Sequence, residues 1–193
     1  FLALVLTMLT CLVLGMGIPT IPNYIITSSL AAPILLKLGV PLIVSHMFVF
    51  YFGIMADLTP PVALAAFAAA PIARESGMKI GMQALRVAIA GFIVPYMAVY
   101  SPALMLQGGT WLATVYVVFK ALVAIGLWGM GAIGFLWSPL NWGERIWAIL
   151  AASMLVVALP LTDEVGLGAA AAPLAWHWRR SRGLTQTGHK GGA

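Results

Sequence analysis

The residues best placed to do chemistry in this chain flank two interruptions of apolar sequence, Gly15-Met16-Gly17-Ile18-Pro19-Thr20 and Thr59-Pro60-Pro61. Pro60 and Pro61 lack N–H donors and remove the helical partners of carbonyls one turn back. In lipid an unpartnered backbone group costs several kcal/mol, so a helix breaks at membrane depth only where the break is buried in protein or lines a cavity. Freed carbonyls beside the hydroxyls of Thr20 and Thr59 make an oxygen-rich set that suits a hard cation such as sodium. Half-helix C-termini add negative partial charge, and half-helix N-termini can meet an anionic substrate. The candidate cation-binding residues are therefore Gly15, Gly17, Pro19, Thr20, Thr59, Pro60 and Pro61. The bland alternative is that Gly and Pro only kink membrane helices, where both are common.

Asp57 lies two residues before Thr59 in apolar sequence. An acid in a span is a candidate for proton coupling or substrate binding; the alternative is an acid facing a water-filled cavity or paired with a distant Lys or Arg. Lys120 carries similar weight, unless it snorkels or pairs elsewhere. His46, His177 and His189 are too scattered for a metal site, and His46 reads as a hydrogen-bonded packing residue. No metal beyond the cation and no cofactor is expected. Gly15-Met16-Gly17 has no preceding strand and is not a dinucleotide fingerprint. A membrane-embedded hydrolase or transferase would need His with Asp or Ser in a cluster. The five acids and three histidines suggest none, so we expect no enzyme. A structural subunit without its own site is the other alternative, and the paired breaks argue against it.

The elements that must position these residues are membrane helices. The hydrophobic fraction is 62%, the charged fraction 8% and the mean hydropathy +1.03. A soluble domain carries about a quarter charged residues, so this composition cannot cover a soluble surface. Long unbroken apolar runs, rather than alternation, predict an all-α polytopic membrane protein. The net charge of +5 is scattered apart from Arg179, Arg180 and Arg182, which indicates cytoplasmic flanks rather than nucleic-acid binding. Cys11, the single cysteine, reads as a buried inert thiol.

Residues 1–14 and 21–36 are short apolar arms around the first break, with Thr27, Ser28 and Ser29 inside the second. Neither reaches the roughly 20 residues of a full crossing. Such arms suggest a re-entrant helical hairpin over 1–36, the alternative being two poor spans joined by a turn. Lys37-Leu38-Gly39 is a joint, and 40–73 reads as a helix broken at Thr59–Pro61. Arg74–Lys79 is a polar loop, 82–106 a span, 111–136 a span with Trp111 and Trp137 near its ends, and 145–159 another. An acidic turn at 160–164, a short apolar segment at 165–178 and a basic, disordered tail over 179–193 follow. Placing Arg74 and Lys79 in the cytoplasm and alternating outward puts Arg145 and the C-terminus inside, and Lys37 outside. The chain starts inside an apolar run without an initiator Met, and we read it as the C-terminal part of a longer polypeptide.

Several strings recur together: Gly15–Thr20 with Ser29-Leu30-Ala31-Ala32-Pro33, Phe48-Val49-Phe50-Tyr51-Phe52-Gly53, Asp57-Leu58-Thr59-Pro60-Pro61-Val62-Ala63-Leu64-Ala65 and Gly91-Phe92-Ile93-Val94-Pro95-Tyr96. Over 1–108 they resemble the large, DctM-type membrane subunit of tripartite ATP-independent periplasmic (TRAP) transporters. The closest match is the fused-permease subgroup served by TAXI-type binding proteins. Residues 109–178 resemble that subgroup's additional C-terminal helices more loosely. The resemblance implies the second repeat of an elevator-type carrier built from inverted repeats, in the bacterial inner membrane. It implies secondary uptake of organic acids, usually with sodium (a proton is the alternative), delivered by a periplasmic solute-binding protein. It maps one sodium site onto the Gly15–Thr20 tip and Thr59–Pro61, largely through backbone carbonyls. The partners it implies are the rest of the permease, a small membrane subunit and the bilayer.

Overall fold

Two helices of the computed structural model, which describes residues 1–156, 164–171 and 174–177, are long and apolar enough to cross a membrane: Gly77–Tyr100 and Trp111–Ile133. The described residues are helical, without a named strand. In chain order the helices are α1 (Leu2–Gly15), α2 (Thr20–Lys37), α3 (Leu42–Met55), α4 (Leu64–Ala73), α5 (Gly77–Tyr100), a short 3-10 turn (Pro102–Met105), α6 (Trp111–Ile133) and α7 (Trp142–Val156). Residues 164–171 and 174–177 are also helical. All but Glu164 of the expected acidic turn at 160–164, the end of the 145–159 span and the basic tail from Arg179 lie outside the described residues, and Glu164 is helical. The chain divides into two compact units, Phe1–Val118 and Phe119–Ala193, with the boundary inside α6.

In the first unit α3 is the central helix. Its buried residues, Val44, Ser45, Phe48, Val49, Phe52 and Gly53, recur at the helical period and form one stripe that continues to Ala56. That stripe packs against α1, α2 and α5. α1 and α2 run antiparallel, because the start of α1 (Ala3, Leu6, Thr7) and the end of α2 (Leu30, Ala31, Ile34) line the same groove of about 320 Å³. At about 21 Å and 27 Å, from 1.5 Å per residue, both helices are shorter than the hydrocarbon core. Their hydroxyls are spent inside their own helices: Thr7 donates to the Ala3 carbonyl and Thr10 to that of Leu6, both at 2.8 Å, and Thr27 donates to that of Asn23 at 2.7 Å. Buried at Thr7 and Thr27 and exposed at Thr10, each hydroxyl thus has an acceptor without needing water. Leu2, Leu6, Leu9 and Val13 of α1 and Ile21, Ile25, Leu30 and Ile34 of α2 are exposed apolar residues.

Aromatic rings fasten α5 to α3. Phe52 meets Phe48 at 4.8 Å, Phe92 at 5.9 Å and Tyr96 at 5.8 Å between ring centroids. The Tyr96 hydroxyl donates to the Met8 sulfur of α1 at 3.2 Å. Small residues permit close approach: a Cβ on Gly91 would meet the Met55 methyl at 2.7 Å, and one on Gly77 would enter the Phe67 ring.

Two element ends differ from the sequence expectation. α5 starts at Gly77 rather than 82, because the Ser76 side chain accepts the Lys79 N–H at 3.3 Å and caps the helix. The Lys79–Glu75 pair at 2.6 Å is exposed and adds little. α5 also ends at Tyr100 rather than 106, where Pro102 opens the 3-10 turn and Leu106 takes the left-handed conformation at φ 59°.

In the second unit the C-terminal end of α6 is held by Arg145, which donates to the carbonyls of Gly131 at 2.9 Å and Ala132 at 3.1 Å. Its guanidinium also lies 4.7 Å from the Trp142 ring centroid. α7 begins at Trp142, three residues before the expected 145, because the Glu144 carboxylate reaches back to the Asn141 N–H at 2.8 Å, as in a capping box. Residues 164–171 pack on α7, with the Trp147 indole donating to the Ala169 carbonyl at 3.0 Å. Arg145→Ala strips two charge-assisted donors from carbonyls at a helix end. It is expected to cost about 1.5–3 kcal/mol and to speed amide hydrogen exchange in the last turn of α6. Unchanged exchange there would refute this cap.

Candidate functional site at the tip and the break

The α1–α2 turn carries the first set of predicted residues. Gly17 at its centre has φ 77°, and nothing lies within 4 Å of where a Cβ would project, so it serves backbone freedom alone. Gly17, Pro19 and Thr20 are exposed, with Pro19 capping and Thr20 opening α2. Pro22 sits in the first turn of α2 and has no N–H, so the Ile18 carbonyl loses its helical donor. Among the described residues no backbone N–H reaches the carbonyls of Met16, Gly17 or Ile18. This turn therefore carries three free backbone acceptors.

The second set behaves differently. The helix stops at Met55 and resumes at Leu64, and Pro60–Pro61 is a cis peptide within that gap. The sequence predicts that the prolines free the carbonyls one turn back. Instead the chain tightens: Asp57 N–H bonds to Ile54, Leu58 to Met55 and Thr59 to Ala56, at 3.1–3.2 Å. The Asp57 carbonyl accepts from Ala65 at 3.2 Å, and the Thr59 carbonyl from Ala63. The Asp57 and Thr59 carbonyls keep only their second lone pair for a ligand, while those of Leu58, Pro60, Pro61 and Val62 receive no backbone N–H. The Thr59 hydroxyl donates to the Met55 carbonyl at 2.7 Å, which leaves its own lone pairs free to accept. Ala63 takes φ 38° at the entry to α4, a strained conformation for a residue with a Cβ. Asp57 is half-buried, and one of its carboxylate oxygens, Oδ1, is buried without a hydrogen-bond partner. Pro60 is half-buried and Pro61 exposed.

Gly15 joins the two sets. It is buried, and a Cβ there would lie 2.8 Å from the Ala56 Cβ, from Asn23 Nδ2 and from the Gly53 carbonyl oxygen. The end of α1, the start of α2 and the end of α3 thus meet at one point with no spare volume. Asn23, absent from the residues predicted by sequence, donates from Nδ2 to the Gly53 carbonyl at 2.9 Å and is only 3% exposed. A lone Asn following Pro22 in an apolar arm is the signal that could have pointed to it. The structure brings Gly15 to the end of α3 just before Asp57–Pro61, and leaves Gly17, Pro19, Thr20 and Pro61 exposed. His46 is a hydrogen-bonded packing residue as expected, 2.9 Å from the Tyr24 hydroxyl.

The second unit holds a polar cluster that sequence spacing does not reveal. The Ser138 hydroxyl lies 3.2 Å from His177 Nε2, and Glu144 Oε1 lies 3.6 Å from His177 Nδ1. The expectation that the acids and histidines form no cluster fails here, because folding joins residues up to 39 apart. The His–Glu separation exceeds a hydrogen bond, and the other Glu144 oxygen caps α7. The Ser138–His177 contact therefore ties the 134–141 loop to the 174–177 segment, with His177 buried at 1% exposure and stacked on Trp137. Lys120 is buried in the same unit. Among the described residues no group of three His, Cys, Asp or Glu could hold a metal.

Helices that are apolar on their exposed faces, two of them long enough to cross a bilayer, mark an integral membrane protein. Residues 1–111 match the family described as Tripartite ATP-independent periplasmic transporter, DctM component, and the chain belongs to that family. No curated protein and no solved structure matches the chain.

Proposed function

We propose that this TRAP membrane component carries a cation site between the α1–α2 turn and the α3–α4 break, and couples that cation to uptake of organic acids. The observation that carries the reading is the junction at Gly15, where the turn seats on the end of α3 without room for a methyl group. The free carbonyls of Met16, Gly17 and Ile18, the free lone pairs of Thr59 and the unpartnered oxygen of Asp57 are the oxygen ligands of this reading. Sodium is the coupling ion of this proposal. The N-terminal ends of α2 and α4, each without a side-chain cap, offer free N–H groups and positive dipole ends to a carboxylate substrate. In this reading α1 and α2 form a re-entrant hairpin of an elevator-type carrier in the bacterial inner membrane, with a cytoplasmic C-terminus. A TAXI-type periplasmic binding protein delivers the substrate, and the remainder of the permease with a small membrane subunit completes the carrier.

The test is uptake by the assembled transporter as a function of sodium. Thr59→Ala removes one neutral ligand oxygen. It is expected to raise the half-saturating sodium concentration about tenfold, equivalent to about 1.4 kcal/mol, with folding intact. A wild type indifferent to sodium would exclude sodium coupling. Asp57→Asn would then be the variant that decides for a proton.

A further inference from the structure

We propose that Asn23 couples cation binding to closure of the turn: Nδ2 holds the end of α3 through Gly53, while Oδ1 is given to the cation. The proposal rests on the cation-site reading above and adds to it a side-chain ligand on the α2 arm. In a regular helix the Gly53 carbonyl would accept the Asp57 N–H, but that N–H turns to Ile54 at 3.1 Å as α3 unwinds. Asn23 replaces the lost donor at 2.9 Å. Because a carbonyl can only accept, the nitrogen end of the carboxamide must face Gly53, and the other end must be the oxygen.

That oxygen, Oδ1, is buried and has no partner. A buried acceptor without a donor is costly, and few survive in native structures unless a water or ion fills the gap. A second orphaned acceptor, Oδ1 of Asp57, belongs to the residue one helical turn beyond Gly53. Two unpartnered oxygens flanking one helix end call for a positive species, and hard cations take oxygen ligands. The close approach at Gly15, whose missing Cβ would lie 2.8 Å from Asn23 Nδ2, makes the carboxamide sensitive to the turn's position. Withdrawal of the turn would strip Gly53 of its donor and the cation of one ligand together. Asn23 thereby makes occupancy and closure a single event.

The experiment measures the thermal midpoint of the purified, assembled transporter during titration with sodium chloride, with choline replacing sodium at constant ionic strength. Wild type is expected to gain stability with sodium. Asn23→Ala is expected to raise the half-saturating sodium at least tenfold. Asn23→Asp loses the donor to Gly53 but keeps an oxygen. It is expected to lower the sodium-free midpoint and to keep half-saturation within threefold of wild type, or tighter. A sodium response in wild type that Asn23→Ala leaves within twofold overturns the role of Asn23 and spares the cation site. Equal loss of the response in both variants reduces Asn23 to a structural clamp and overturns its ligand role. A wild type without any sodium response overturns both readings. Should Asn23→Ala not fold, Asn23→Asp against wild type decides: a retained response supports the ligand role and a lost one refutes it.

Discussion

Gly15→Ala is expected to push the α1–α2 turn off α3 and to remove transport by the assembled protein. The added methyl group would lie 2.8 Å from three atoms, the Ala56 Cβ, Asn23 Nδ2 and the Gly53 carbonyl oxygen. One of these is backbone and another is fixed by its hydrogen bond, so none can swing aside as the end of a flexible side chain would. Overpacking of this kind costs about 1–3 kcal/mol, and the bond between Asn23 and Gly53 breaks when the helices separate. Gly17→Ala is the matched control. Its φ of 77° imposes strain of about 1–2 kcal/mol, but nothing lies within 4 Å of the new methyl group. Both variants should lose thermal stability, and Gly15→Ala should lose uptake far more completely. Equal uptake by the two would show that the junction at Gly15 is not what transport requires.

Phe52→Ala is expected to produce the largest loss of stability in the first unit. Phe52 is fully buried on α3 and touches the rings of Phe48, Phe92 and Tyr96. In lipid the hydrophobic effect does not drive helices together, so the loss falls on packing. Removing the ring leaves a cavity at the crossing of α3 and α5, for which about 3–5 kcal/mol is typical of buried aromatics. Phe52→Leu should recover about half of that by refilling part of the volume. Denaturant unfolding of the purified protein measures both. A loss below about 1 kcal/mol for Phe52→Ala would mean that the gap collapses freely.

The two predictions act on different layers. Phe52 fixes the scaffold that presents the end of α3, whereas Gly15 and Asn23 fix what sits on that end. Variants of the first kind should lower stability with and without sodium alike. Variants of the second kind should change the difference between the two conditions.

Local chemistry made the helices and their interruption legible in the sequence. A charged fraction of 8% against long apolar runs requires lipid-facing helices. Paired prolines without N–H groups stop a helix wherever they fall, and the helix indeed stops at Met55 and resumes at Leu64. The glycines of the first break likewise mark a turn with positive φ at Gly17. Properties of one residue and its four neighbours suffice for these inferences, and the family resemblance read over 1–108 likewise rests on contiguous strings, within the residues 1–111 that match the family.

Tertiary structure decided which polar groups meet. At the Thr59–Pro61 break the chain satisfies part of its backbone by 3-10-type bonds, while the carbonyls of Leu58, Pro60, Pro61 and Val62, like those of Met16–Ile18, receive no backbone N–H. Asn23 gained its role from a carbonyl 30 residues away, and Ser138 was paired with His177 across 39 residues. No spacing rule encodes such contacts, because they depend on how ridges of one helix seat against another. Gly15 shows both sides of that division. Its type announces a turn or a close approach, and only the packed structure shows that the close approach is to the end of α3.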